Sequence, residues 1–221
     1  MNANETSVGI IGSGIVGQVL ARAFAAEGHE VMLGTRNPAK EELVKWKEAN
    51  HTIQLGTFEE VAVFGKVIVL ATQGAVAEEA IKMAGIQQLT GKIIIDATNP
   101  ISQTHPPVNG VLQYFTGPNE SLMERLQKLA PHAYWVKAFN SVGNAFMYKP
   151  AFEGTRPTMF ICGDKPEAKT TVKQILDRFG WESEDMGRVE SARAIEPLCI
   201  LWCLPGLIRN QWTHAFKLLK M

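Results

Sequence analysis

A doubly wound α/β fold with a mostly parallel sheet is predicted by three features of the sequence. Apolar runs of strand length alternate with helical patterns along the chain. Several of those runs are continuously apolar, as strands buried on both faces are. A Gly-x-Gly-x-x-Gly run then joins the first strand to the first helix.

The elements follow in order. VGIIG (8–12) is the first strand, and the helical pattern of 15–27 is closed by Gly28 as a C-cap glycine. EVMLG (30–34) is the next strand, before helical patterns over 39–49 and 57–64. KVIVLAT (66–72) precedes a helix over 75–84, and KIIIDAT (92–98) precedes one over 119–130. AYWVKAF (133–139) and TMFICG (158–163) are the last strands expected. Asp164, Lys165 and Pro166 lead into a helix over 165–179 with Pro and an acid in its first turn, and Gly180 ends it. A long helix is expected from about 191 to 219. The chain reads as one domain, 1–221, with 191–221 as a C-terminal helical extension. The least regular stretch, 99–118, reads as a long loop of the kind that carries lids or binding segments.

Composition narrows the partners. Lys plus Arg and Asp plus Glu number 22 each, so no global basic field recruits nucleic acid or an anionic membrane. MNANETS has neither the basic nor the apolar region of a signal peptide. LCILWCLPGLI (198–208) is too short to cross a bilayer and contains Pro205. Three cysteines, without zinc spacing, suit a reducing compartment. The expectation is a cytoplasmic protein with no metal and no membrane or nucleic-acid partner.

The chemistry concentrates at strand ends. Gly12 makes a tight turn, Gly14 lets a pyrophosphate approach the backbone, and Gly17 lets the helix pack closely on the sheet. Ser13, Ile15 and Val16 lie between them, where the helix N-terminus offers free N–H groups. An NAD-type site has an acid at the end of the second strand. Here that end reads Gly34-Thr35-Arg36-Asn37, and the nearby carboxylate Glu30 sits at the strand's start. Arg36 can meet a 2′-phosphate with a bidentate fork, Thr35 can add a hydroxyl donor, and Lys40 follows one turn later. The cofactor predicted is therefore NADP. Thr72-Gln73-Gly74, Asn99-Pro100 and Asn140 to Asn144 close other strands and can meet ribose and carboxamide groups. Asp96 reads as a structural acceptor.

No catalytic acid–base pair is evident. His29 and His132 begin strands, His105 lies in the 99–118 loop, and none is paired in a motif. Tyr114 and Tyr134 lack the Lys four residues on that short-chain dehydrogenases require, and Cys199 and Cys203 read as apolar packing. Hydride transfer between two flat cofactors needs alignment and a water-poor site rather than a proton relay. No catalytic residue is assigned.

The sequence resembles the coenzyme F420-dependent NADP oxidoreductase family. More distantly, it is similar to the cytosolic NADPH-binding domain of membrane ferric reductases. VGIIGSGIVG, VMLGTR, IIIDATNP, WVKAFNS, MFICGD and ESARAIEPLCILWC carry the likeness. It implies a Rossmann fold in which Ser13, Gly14, Ile15, Val16, Thr35, Arg36 and Lys40 hold NADP. Thr72, Asn99 and Asn144 would lie near the ribose or nicotinamide. It also implies a deazaflavin, F420, stacked beside the 99–118 loop and the final helix. Alternative expectations are a flavin or ferric reductase, or a non-catalytic NADPH-binding sensor. A homodimer through the closing helix is expected from that helix's apolar length.

Overall fold

The structure, a computed structural model, describes residues 6–152 and 154–221. The polar start MNANE thus lies outside the described residues. Six parallel strands form the main sheet: β1 (Val8–Ile11), β2 (Val31–Gly34), β3 (Ile53–Gly56), β4 (Val67–Leu70), β5 (Ile93–Asp96) and β6 (Tyr134–Lys137). Their order is β3-β2-β1-β4-β5-β6, so the chain winds outward from β1 to one edge and then returns to build the other half. Every pairing is parallel and in step, Val8 lying level with both Val31 and Val67. The switch of direction falls between β1 and β4, which opens a crevice at the carboxyl ends of those strands.

The helices cover both faces, as a parallel sheet requires. They are α1 (Ile15–Ala26), α2 (Glu41–Ala49), α3 (Phe58–Phe64), α4 (Ala77–Ala84), α5 (Leu122–Leu129), α6 (Pro166–Arg178), α7 (Ala192–Ile195) and α8 (Leu198–Arg209). One apolar cluster joins Leu20 and Phe24 of α1 to Phe139, Phe179 and Trp181; the other joins α3, α4 and α5 to Ile68, Ile94 and Trp135. Both α3 and α5 begin with full capping boxes, Thr57 with Glu60 and Ser121 with Glu124.

Three expectations are corrected. HTIQLGT contains β3, and the polar stretch ESED forms β8 (Glu182–Asp185), paired in parallel with β7 (Thr158–Ile161). Neither strand was expected. The stretch 99–118 is a long loop, as expected, and isolated antiparallel bridges fold it into a hairpin. Phe115 N donates to the Pro100 carbonyl and Ser102 N to that of Gln113, while Val108 and Val111 exchange both backbone bonds. Asn109 and Gly110 between them have φ of 50° and 82°, the sign both central residues of a type I′ turn need.

The long helix expected to 219 stops at Arg209. Asn210 takes a left-handed φ of 53°, and residues 211–221 turn back in extended form to β7. A Cβ on Gly206 would sit 2.3 Å from the Trp212 ring, so the reversal needs glycine there. Helical structure runs through Val189–Arg209, 21 residues of mean hydropathy 1.3, long and apolar enough by composition to span a bilayer. That span is longer than the 11-residue apolar run at 198–208. Its inner face nevertheless packs on the domain through Ala192, Ile195, Glu196, Cys199 and Trp202.

Candidate functional site

At the carboxyl end of β1 the three glycines have distinct surroundings. Gly12 has φ 119°, and a Cβ there would lie 2.5 Å from the Ala71 carbonyl oxygen, on the neighbouring strand's exit. A Cβ on Gly17 would lie 1.9 Å from the Gly12 oxygen, so α1 can approach the turn only with glycine at that position. Around Gly14 there is nothing within 4 Å. Gly14 is the N-cap of α1, with no side-chain cap and no acid in the first turn. The leading amides, on Ile15, Val16 and Gly17, thus keep their partial positive charge uncompensated by any cap beside the open space at Gly14, and this suits a pyrophosphate. Ser13 turns its carbonyl away, accepting from Gln18 Nε2 at 3.0 Å.

Beside this turn β2 ends in Thr35, buried, and Arg36, exposed. Thr35 Oγ1 accepts from Asn37 N at 3.3 Å, and Asn37 Oδ1 accepts from Ala39 N at 3.1 Å, which shapes the exit towards α2. The Arg36 guanidinium has no partner among the described residues. Lys40 is less free, because its Nζ meets Glu42 Oε1 at 2.5 Å. Glu30 is exposed at the far end of β2. The residues present therefore fit a phosphorylated ribose: one free cation at the strand end and no carboxylate competing there.

The other strand-end residues converge on the same side of the sheet. After β4, a Cβ on Gly74 would come within 2.0 Å of the Asn99 carbonyl oxygen, so the turns following β4 and β5 touch. Gln73 is exposed and its Oε1 accepts from Gln103 of the hairpin at 2.5 Å. Thr72 Oγ1 is buried and unpartnered. Asn99 and Asn140 bond to each other across β5 and β6, and Pro100 is buried behind them. Asn144 opens a short 3-10 turn and is half-buried. Gly143 beside it meets α8, since a Cβ there would be 2.5 Å from the Trp202 ring.

The sequence reading missed the ionic core beneath these turns. Lys137, fully buried at the end of β6, lies 2.7 Å from Asp96 Oδ2 and 2.9 Å from Glu196 Oε1. The two carboxylates outweigh burial and raise the ammonium above its ordinary range. A lysine closing an apolar strand was the available signal, because a buried ammonium demands a partner. Asp96 is a structural acceptor, as expected, taking Thr98 N at 2.9 Å and Thr98 Oγ1 at 2.6 Å. His29 bonds the Thr6 carbonyl and His105 sits among Ser102 and Thr104 of the hairpin. Cys162, Cys199 and Cys203 are free thiols. No group of three metal-ligating side chains occurs among the described residues.

A glycine turn at the switch point, a free arginine at the end of β2 and amide-bearing turns beside them define a dinucleotide-binding domain of the Rossmann class that fits NADP. Comparison with known proteins makes this more particular. Residues 7–100 match the family described as NADP oxidoreductase, coenzyme F420-dependent. A candidate F420-dependent NADP reductase from Arthrobacter sp. FB24 superimposes with a TM-score of 0.91 at 29% identity, over 97% of this chain and 100% of that one. The chain is therefore similar to F420-dependent NADP oxidoreductases, in sequence over residues 7–100 and in fold along nearly its whole length. Among curated relatives, rat metalloreductase STEAP3 is 33% identical over 91% of this chain, which spans only 38% of that protein. An imine reductase from Aspergillus terreus, solved with NADPH4, shares the fold at 17% identity and a TM-score of 0.64, over 90% of this chain and 60% of that one.

Proposed function

We propose that the protein passes hydride between NADPH and a flat redox cofactor, F420 being the favoured partner. The observation that carries this reading is the unpartnered Arg36 beside the open Gly14 turn. End-to-end likeness to the Arthrobacter protein supports F420 as the acceptor. NADPH supplies the hydride. The chain's own residues bind and align: the α1 amides and Gly14 take the pyrophosphate, Thr35 and Arg36 the 2′-phosphate, and Thr72, Gln73, Asn99, Pro100, Asn140 and Asn144 border the nicotinamide end. Lys40 joins the phosphate site by leaving Glu42. The hairpin and α8 then flank the second cofactor and exclude water from it.

A second reading, reduction of a flavin and through it ferric iron, is favoured by the identity to STEAP3 over most of this chain. We further place the protein in the cytoplasm as a homodimer. Leu201, Leu207 and Ile208 on the outer face of α8 are exposed beside Val108 and Val111 of the hairpin, and they supply an apolar face for a second copy. Light scattering across a concentration series checks that state; a monomer throughout excludes it.

Stopped-flow mixing of protein and NADPH with F420, and separately with FMN, tests the acceptor. Oxidation of NADPH by F420 with little by FMN is the expected result, and the reverse selects the second reading. For the donor, Arg36→Ala is expected to weaken NADPH binding by about 1–3 kcal/mol while leaving NADH nearly unchanged. Equal loss for both would overturn the 2′-phosphate assignment.

A further inference from the structure

The ionic core has a feature that packing alone does not explain: Lys137 and Asp96 both hold Thr98, next to Asn99, and the residue before Glu196 bonds Asn140. Lys137 Nζ donates to the Thr98 carbonyl at 2.9 Å, and Asn99 is the next residue. Asp96 closes the Thr98 turn from the other side. Glu196 accepts from Leu122 N and Met123 N at 3.0 Å each, pinning the start of α5, and its carbonyl accepts from Tyr114 of the hairpin at 2.7 Å. Ile195, immediately before it, accepts from Asn140 Nδ2 at 3.0 Å. Between the two asparagines, Asn99 Nδ2 donates to the Asn140 carbonyl at 2.8 Å, and Asn140 Nδ2 donates to Asn99 Oδ1 at 3.2 Å.

Every Nδ2 in this cluster has a partner, but the side-chain amide oxygen of Asn140, Oδ1, has none, although Asn140 is only 3% exposed. The residue before it, Phe139, is held at φ 64°, a conformation that costs a non-glycine residue and that its surroundings must enforce. Burying three charges is an inefficient way to stabilise a core, since well-packed apolar residues often do as well. A fixed geometry for the amide pair explains both the charges and the strained turn.

We propose that Lys137 and Glu196 are positioning residues that hold the Asn99–Asn140 pair for the nicotinamide half of the cofactor. Asn140 Oδ1 then accepts from the carboxamide N–H2, a donor that matches a side-chain amide oxygen lacking one. This inference rests on the NADP reading above. It gives the terminal helices a function in cofactor binding, because Glu196 lies between α7 and α8.

Calorimetric titration with 2′,5′-ADP and with NADP+ separates the two halves of the ligand. The first carries the 2′-phosphate without nicotinamide. The wild-type protein is expected to prefer NADP+. Asn140→Ala and Glu196→Gln should leave 2′,5′-ADP affinity within about twofold and weaken NADP+ about tenfold, the size of one lost hydrogen bond in a buried site. Asn140→Ala removes no charge and so remains informative if Glu196→Gln does not fold. An unchanged NADP+ to 2′,5′-ADP preference in folded Asn140→Ala overturns the proposal and leaves a trapped water as the oxygen's partner. A lower melting temperature for Glu196→Gln at unchanged preference also overturns it, because the triad would then be structural only. A wild-type protein that binds neither ligand sinks the NADP reading, and this inference falls with it.

Discussion

At the scale of residues, the three glycines after β1 differ in what a side chain would meet, and this separates folding from binding. Gly17 has no room for a Cβ, whereas Gly14 has nothing within 4 Å. Gly14→Asp therefore fits the folded chain, and an acid at an N-cap position stabilises the helix by about 0.5–1 kcal/mol through the cap and the dipole. The same carboxylate would stand where the pyrophosphate must approach. We expect a melting temperature equal to or above wild type and an NADPH affinity lower by at least about a hundredfold, the scale of like-charge repulsion at a few ångströms. Gly17→Ala should do the opposite first, costing about 1–3 kcal/mol of stability through a forced backbone shift. Thermal melts with and without NADPH check both; a destabilised Gly14→Asp would contradict the open space seen there. These glycine roles were legible in the sequence because the motif fixes them by spacing. Lys137 and Glu196 were not, since 59 residues of chain separate them and only the fold brings them together.

At the scale of elements, α5 is secured at its start by Ser121 and Glu124, and Glu124 also holds Arg193 of α7 at 3.0 and 2.5 Å. The Arg193 hydrogen bond, against the opposing effect of burial, keeps the Glu124 carboxyl below its ordinary value of 4.5. A carboxylate whose folded pKa is lowered stabilises fully above pH 4.5, and that stability is lost as pH falls through the folded value. Glu124→Gln is expected to cost about 1–2 kcal/mol at pH 7, with the difference from wild type shrinking steadily below pH 4.5. Melting curves between pH 3 and 7 measure this, and a difference that persists at pH 3 would place the effect in packing. Elements with a cap or an apolar run were readable: Thr57, Ser121 and Pro166 all mark helix starts. β8 was unreadable because ESED is a polar edge strand with no buried stripe. The hairpin at 99–118 had its signal in Asn109-Gly110, which the surrounding prolines outweighed.

At the scale of the whole molecule, the carboxyl-terminal tail ties the two ends of the fold to each other. The apolar pattern past residue 209 reads as more helix, yet the tail reverses and half-buries residues 214–216: His214 stacks on Trp202 at 4.9 Å, and the two exchange bonds of 2.9 Å between ring nitrogens and carbonyls. Further along, Thr158 N donates to the Phe216 carbonyl, Leu218 N to Thr158 Oγ1, and Lys217 and Lys220 pair with Glu182 and Glu184 of β8. The tail therefore links α8, which packs on the turn after β6, to the outer β7–β8 pair. Removing residues 210–221 would strand Thr158 N and Trp202 Nε1 and uncover the Trp202 ring. Each lost hydrogen bond costs about 0.5–1.5 kcal/mol and the uncovered apolar surface of Trp202 adds to it, so the melting temperature should fall by roughly 5–15 °C for a chain of this size. The glycine turn and Arg36 lie on the opposite half of the sheet, with no contact to the tail described. The shortened protein should accordingly keep its affinity for 2′,5′-ADP, while NADP+ binding weakens as α8 loosens from Gly143. Titration of both ligands at 15 °C, below the lowered melting point, provides the check. Parallel loss of the two would mean that the tail supports the whole domain rather than its nicotinamide end.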